Sequence, residues 1–203
     1  RQRQMCIRDR VLAAHGIKSY VFESLRPTPE LSFAVRHLHT FAGIMVTASH
    51  NPAPFNGYKV YGEDGGQMPP ADADALTDYI RAIENPFTVQ LADLEESKAS
   101  GLIEVIGENV DAEYLKEVKG VNINQDLINE YGRDMKIVYT PLHGTGEMLA
   151  RRALAQAGFE AVQVVEAQAV PDPDFSTVKS PNPENQEAFA LAEELGRKVD
   201  ADV

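Results

Sequence analysis

The sequence has no tryptophan and one cysteine, and it lacks any long apolar run. A single cysteine, Cys6, rules out an internal disulfide, so the chain reads as a protein of a reducing compartment, the cytoplasm. No stretch approaches the roughly 20 apolar residues needed to cross a bilayer. Positive charge is scarce: 19 Lys and Arg stand against 31 Asp and Glu, a net charge of −12. That excludes nucleic-acid binding through a broad basic surface, because phosphate contacts need clustered Lys and Arg. It leaves room for a small phosphorylated ligand held by a few local groups. Hydrophobic residues at 43% and charged residues at 25% are ordinary for a soluble globular protein. The 203 residues suffice for one large domain or two modest ones. No internal repeat or low-complexity tract stands out.

The ends differ from the body. Residues 1–10, RQRQMCIRDR, carry four arginines, one aspartate and the cysteine. Without them the remainder holds 15 basic and 30 acidic residues, a net −15. No apolar stretch follows that would make them a targeting signal. They read as a non-native scar and are set aside from the fold argument. At the other end, "GRKVDADV" reads as a helix passing into the start of a strand, the expectation for a fragment of a longer protein.

Between the ends, strand and helix patterns alternate. "SYVFE" (19–23), "GIMVT" (43–47), "GYKVY" (57–61), "LIEVI" (102–106), "KIVYT" (136–140) and "AVQVVE" (161–166) read as strands. Helices are predicted over 29–39, with Thr28 as N-cap and Pro29 in the first turn, and along a face of Leu76, Tyr79, Ile80 and Ile83. Others follow over 91–99, over 109–133 with a break at Gly120 and Asn122, and over 145–157 up to Gly158. A last helix is capped by Asn182 and opened by Pro183. The alternation predicts an α/β fold with mixed sheets. Residues 85–110 read as the junction between two domains.

One loop joins two of these strands with an unusual set of side chains. Thr47-Ala48-Ser49-His50-Asn51-Pro52 starts at a strand end, and Pro52 restricts Asn51 to extended or turn conformations. Ser49 is then presented from a fixed edge, as a reactive group must be. His50 beside it suits a proton carrier or an anion donor. Lys59, on the next strand, can return towards the loop. A Ser-Asn-Pro turn that only caps backbone accounts for the same residues. A serine hydrolase is disfavoured, since no G-x-S-x-G elbow surrounds Ser49. A lysine opposite a serine better suits an oxygen bearing a phosphate. In "PLHGTGE" (141–147), Gly144 and Gly146 can offer N–H groups to an anion or simply permit a tight turn. His143 either faces a cleft or caps that turn. Arg151 and Arg152 read as solvated. "PDPDF" (171–175) reads as a solvated turn.

The stretch "TASHNPAPFNGYKVYGEDGGQ" resembles the active-serine loop of the α-D-phosphohexomutases, the phosphoglucomutase/phosphomannomutase family. "RPTPEL", "PLHGTG" and "TVKSPNPE" resemble it too, and the likeness covers residues 11–203. The residues after N-G-x-K are similar to the glucose-phosphate branch. This resemblance implies mixed-sheet αβ domains, two incomplete ones of an expected four. Residues 11–107 would be the C-terminal part of domain 1 with the phosphoserine loop, and 108–203 domain 2, truncated before the metal-binding loop.

The resemblance further implies a phosphoserine at Ser49 that exchanges its phosphoryl group with glucose 1-phosphate and glucose 6-phosphate through glucose 1,6-bisphosphate. Lys59 would act on the attacking hydroxyl and balance the phosphate charge. His50 would contact the reacting centre, and Asn51 would hold the loop or touch substrate. Mg²⁺ would be bound through the Ser49 phosphate, with carboxylates beyond the chain end. Partners would be a small sugar phosphate and the missing domains 3 and 4, with neither nucleic acid nor membrane. The fragment alone would have little turnover. Mannose- or pentose-phosphate mutases with the same chemistry, or a non-catalytic sugar-phosphate-binding module, are the rival readings.

Overall fold

The computed structural model describes residues 2–47, 49–51 and 54–203, with side chains from residue 7 onward. The chain forms two compact units. The first comprises residues 1–46 and 58–110, the second residues 47–57 and 111–203.

In the first unit, helix α1 (Gln2–Ala14) leads to strand β1 (Ser19–Phe22) and helix α2 (Thr28–His37). Strands β2 (Ala42–Val46) and β3 (Tyr58–Gly62) follow, then α3 (Pro70–Arg81), α4 (Leu94–Ala99) and β4 (Ile103–Ile106). The β1 and β4 strands pair in parallel, Ser19 opposite Ile103 through Phe22 opposite Ile106. The β2 and β3 strands pair antiparallel, Ala42 opposite Gly62 through Val46 opposite Tyr58. Ala34, Ile106 and Val110 form the buried core, with Tyr20, Phe22, Phe33 and Leu38 packed on it. α2 lies close on β2 because residue 43 is glycine: a Cβ there would come within 2.6 Å of Val35 Cγ2.

The second unit contains most of α5 (Glu108–Gly120), then α6 (Gln125–Tyr131), β5 (Ile137–Tyr139), α7 (Glu147–Ala157), β6 (Val162–Val164) and α8 (Ala190–Val199). β5 and β6 pair in parallel, Ile137 opposite Val162. Gly158 ends α7 at φ 117°, and its N–H reaches back to the carbonyls of Leu154 and Ala155. Past α8, Val203 N donates to Lys136 O and Val203 O accepts from Val138 N. Those two bonds flank Ile137 as in a parallel ladder, so "DADV" continues along β5.

The α/β architecture is the one read from the alternating pattern, with parallel and antiparallel pairs both present. Several local expectations are corrected. Pro27, at ψ 153°, occupies the cap of α2, so Thr28 is its first helical residue rather than its cap. Asn182 accepts from Glu184 N but closes only a turn. A 3₁₀ turn over Gln186–Phe189 intervenes before α8 begins at Ala190. The apolar face of α3 is not a packed one: Tyr79, Ile80 and Ile83 are 77%, 56% and 49% exposed. Periodicity marks the face, but burial also requires a neighbour, and none of the described elements covers these side chains. Residues 8–10, set aside above, take part in the fold. Asp9 is buried against Arg8, and Arg10 Nε donates to Ala92 O at 2.7 Å.

No helix among the described residues is long and apolar enough to cross a membrane.

Candidate functional site

The loop from Thr47 to Gly57 is pinched at its base. Thr47 N donates to Gly57 O at 2.9 Å. A Cβ on Gly57 would lie 2.6 Å from Thr47 O, so only glycine allows this approach. Asn56 Oδ1 accepts from Gly57 N at 3.0 Å and sets the second half of the neck. The N-G dipeptide therefore shapes the exit of the loop.

Above the neck, Ser49 N donates to Thr47 Oγ1 at 3.0 Å. Ser49 takes φ 53°, the left-handed region that non-glycine residues rarely enter. The result is an exposed Ser49, with its Oγ 3.4 Å from His50 Nδ1. That contact is long for a hydrogen bond. His50 and Asn51 are exposed as well. The structure thus brings Ser49 and His50 together at the solvent. The restriction that Pro52 was expected to impose on Asn51 lies outside the described residues, as do Ala48 and Ala53.

Lys59 is the second residue of β3, opposite Met45. Strand alternation puts it on the same face as the buried Tyr61, two residues on. Among the described residues its ammonium enters no hydrogen bond or ion pair, which leaves a half-buried cation uncommitted in a chain of net charge −12.

The described residues do not fit a magnesium site. No group of three or more His, Cys, Asp or Glu among them could hold a metal ion. A serine oxygen or its phosphate is one donor of the several oxygens that Mg²⁺ requires.

In the second unit, the turn after β5 is also left-handed: Leu142 and His143 have φ 47° and 59°. Gly144 N donates to Pro141 O at 2.8 Å, so that amide serves the turn and not an anion. His143 is buried, and its ring does not cap its own turn. Its Nδ1 lies 2.9 Å from Val170 O and its Nε2 2.8 Å from Thr177 Oγ1. A carbonyl only accepts, so Nδ1 donates to Val170 O, and Nε2 shares a hydrogen bond with the Thr177 hydroxyl.

Gln168, fully buried, donates from Nε2 to Thr177 Oγ1 at 3.1 Å and accepts at Oε1 from Thr140 Oγ1 at 2.6 Å. This relay satisfies every buried polar group it uses. It ties the end of β5 to the proline-rich loop. Asp172 in that loop accepts from Ser176 Oγ and N and from Asp174 N. The Ser176 hydroxyl first, then the two amides, lower its carboxyl to about 2. The first acid of "PDPDF", Asp172, thus closes a turn.

The arginines of α7 are committed. Arg151 pairs with Glu147 and Glu166, and Arg152 with the buried Asp111 at 3.6 Å. Both were expected to be solvated, but the pairing of Arg152 follows from Asp111 being buried beneath it.

Sequence reasoning passed over Thr47, Thr140, Gln168 and Thr177. One signal was present. Both "TASH" (47–50) and "TPLH" (140–143) start one residue past a strand, with threonine three residues before histidine.

Comparisons with known proteins follow the same residues. Residues 8–87 match "Phosphoglucomutase/phosphomannomutase, alpha/beta/alpha domain I", and residues 112–203 match domain II of the same family. A Staphylococcus epidermidis phosphoglucomutase is 41% identical over 194 residues, 95% of this chain and 34% of the relative. One from Staphylococcus saprophyticus is 39% identical over 191 residues, 94% of the chain and 34% of the relative. A solved candidate phosphomannomutase from Thermus thermophilus superposes with a TM-score of 0.72 at 26% identity, covering 92% of this chain and 39% of the other. The chain spans about a third of the length of the curated relatives it matches. With two consecutive domain profiles matched in order, the chain belongs to the phosphoglucomutase/phosphomannomutase family.

Proposed function

We propose that the protein of which this chain forms part is a phosphoglucomutase interconverting glucose 1-phosphate and glucose 6-phosphate, with Ser49 as the phosphoryl carrier. The observation that carries this reading is the exposed Ser49 hydroxyl on a pinched loop between two paired strands, beside His50. A hydroxyl meant only to cap backbone would spend itself on a neighbouring amide or carbonyl. Here the Ser49 hydroxyl meets only the imidazole among the described residues.

In the proposed step, the P–O bond to a sugar oxygen of glucose 1,6-bisphosphate breaks and a bond from Ser49 Oγ to phosphorus forms. The serine proton ends on the released sugar hydroxyl. The reverse transfer goes to the other hydroxyl, so the two monophosphates interconvert. Phosphoryl transfer passes through a loose, charge-spread transition state, so the protein's task is positioning and electrostatics. Ser49 is the nucleophile. His50 moves or shares the serine proton, or donates to a phosphate oxygen when protonated. Lys59 supplies positive charge for the phosphate and the attacking hydroxyl, and Asn51 touches substrate or holds the loop. Mg²⁺ belongs to the resemblance, and this chain's contribution to its site is the Ser49 phosphate oxygen. The glucose preference rests on the phosphoglucomutase relatives; the same chemistry on mannose or pentose phosphates is the alternative.

The test uses the full-length protein, glucose 1,6-bisphosphate and Mg²⁺, with mass spectrometry to locate the phosphate. Phosphate on Ser49, and loss of interconversion in a folded Ser49→Ala variant, are expected. Undiminished turnover in Ser49→Ala would overturn the proposal. Rates on glucose, mannose and pentose 1-phosphates decide the sugar.

A further inference from the structure

We infer that Thr47 is a positioning residue for Ser49, its hydroxyl fixing the left-handed backbone that holds the serine out to solvent. The inference rests on the reading of Ser49 as phosphoryl carrier. Left to itself, a serine disfavours φ 53°. Such a conformation persists only where the surroundings over-determine it. The polar contact that the structure supplies at the Ser49 amide is the 3.0 Å bond to Thr47 Oγ1. Thr47 is itself anchored, because its N–H is bonded to Gly57 O across the neck of the loop. The chain of restraint therefore runs from the β2–β3 ladder through the Thr47 backbone and hydroxyl to the Ser49 amide, and among the described residues the Ser49 hydroxyl meets no backbone group.

The same device occurs a second time, with different neighbours. Thr140 follows β5 as Thr47 follows β2. Its Oγ1 accepts from Leu142 N at 3.1 Å, and Leu142 has φ 47°. In both turns a threonine at the strand end accepts from the amide two residues on, and that residue is left-handed. Two occurrences on unrelated side chains, Ser49 and Leu142, argue that the threonine sets the geometry rather than the residue it turns. Where the turned residue is leucine, the turn is structural and nearly buried. Where it is serine, the turn displays a nucleophile.

Valine matches threonine in shape but has no acceptor, and serine restores the acceptor. In the full-length protein, Thr47→Val should slow phosphate incorporation into Ser49 from saturating glucose 1,6-bisphosphate by roughly three- to tenfold, the population shift that one ordinary hydrogen bond governs. The concentration for half-maximal incorporation should hardly move, since the lost hydroxyl acts on the Ser49 amide. Thr47→Ser should stay within about twofold of wild type by the same argument. Wild-type incorporation in Thr47→Val, or equal slowing in Thr47→Ser, would overturn the inference while leaving Ser49 as carrier. If the wild-type protein takes no phosphate at Ser49, the proposed function itself fails first. Circular dichroism and hydrogen exchange of the β2 and β3 amides confirm that each variant is folded. Should Thr47→Val be unfolded, the Thr47→Ser rate alone decides: rescue supports the inference and slowing sinks it.

Discussion

Replacing Arg26 by methionine should destabilise the first unit severely, and replacing Glu30 by leucine as well should restore it. Glu30 is 0% exposed, and the side chain of Arg26 is 3% exposed. Arg26 Nε stands 3.7 Å from Glu30 Oε2. At an effective dielectric constant of about 20, unit charges at that separation attract by about 4–5 kcal/mol. Removing two ions from water costs several kcal/mol each, so the intact pair is close to break-even.

The guanidinium also donates to Leu25 O at 3.2 Å and lies over the Phe22 ring at 5.7 Å. Its second carboxylate, Glu23, is 58% exposed, so that contact is screened and worth little. Arg26→Met keeps the stem volume but removes the guanidinium from beside the buried carboxylate. The expected cost is about 3–5 kcal/mol, a large part of the 5–15 kcal/mol typical of a domain. Arg26→Met with Glu30→Leu should lie within about 1 kcal/mol of wild type, because neither charge then has to be buried. Because the chain has no tryptophan and two units, the readout is urea-dependent hydrogen exchange of β1 and α2 amides, which reports on this unit alone. A loss under about 1 kcal/mol in Arg26→Met, or a double variant as unstable as the single one, would refute the reasoning.

Two further outcomes follow from single positions. Gly158→Ala should cost about 1–2 kcal/mol by urea denaturation, because φ 117° is hostile to any L side chain, whereas Gly120→Ala, with nothing within 4 Å of its added Cβ, should be neutral or stabilising by about 0.4–1 kcal/mol. Asp172 has a folded pKa of about 2 against 3.8, so its hydrogen bonds favour the folded loop above about pH 4 and lose that effect as pH falls through about 2. Carboxyl-carbon NMR should show this low titration in the wild type and a rise towards 3.8 in Ser176→Ala.

Much of the architecture was legible because its signals are local. β-branched runs gave the strands. Gly158 ended a helix, while the short helix predicted over 91–99 starts only at Leu94, where Asp93 accepts from Glu95 N and Glu96 N. The misses share a cause: each depends on what packs against a segment. The face of Leu76, Tyr79, Ile80 and Ile83 has the spacing of a buried stripe, yet spacing cannot supply the covering element. Asn182 and Pro183 have the chemistry of a helix start, but the chain there first makes turns and a 3₁₀ segment.

For the candidate site, the sequence disclosed which residues share a loop but not the path of the backbone through it. T-A-S-H-N-P between two strand patterns marks a displayed serine. The left-handed turn at Ser49 is invisible to propensity, since serine disfavours it. Yet T-x-x-H at two strand ends is a readable string, and its meaning emerges only when both turns are set side by side. In one, the histidine stays at the surface with the serine. In the other, His143 turns inward to Val170 and Thr177, partners 27 and 34 residues away in sequence. The same four-residue pattern therefore yields an exposed imidazole or a buried one according to what the second strand's neighbouring loop supplies. The long return from β6 to α8 is rich in proline, and its carbonyl and hydroxyl groups meet the imidazole as it turns inward. The hairpin loop between β2 and β3 provides no such lid among the described residues, and its histidine and serine are exposed.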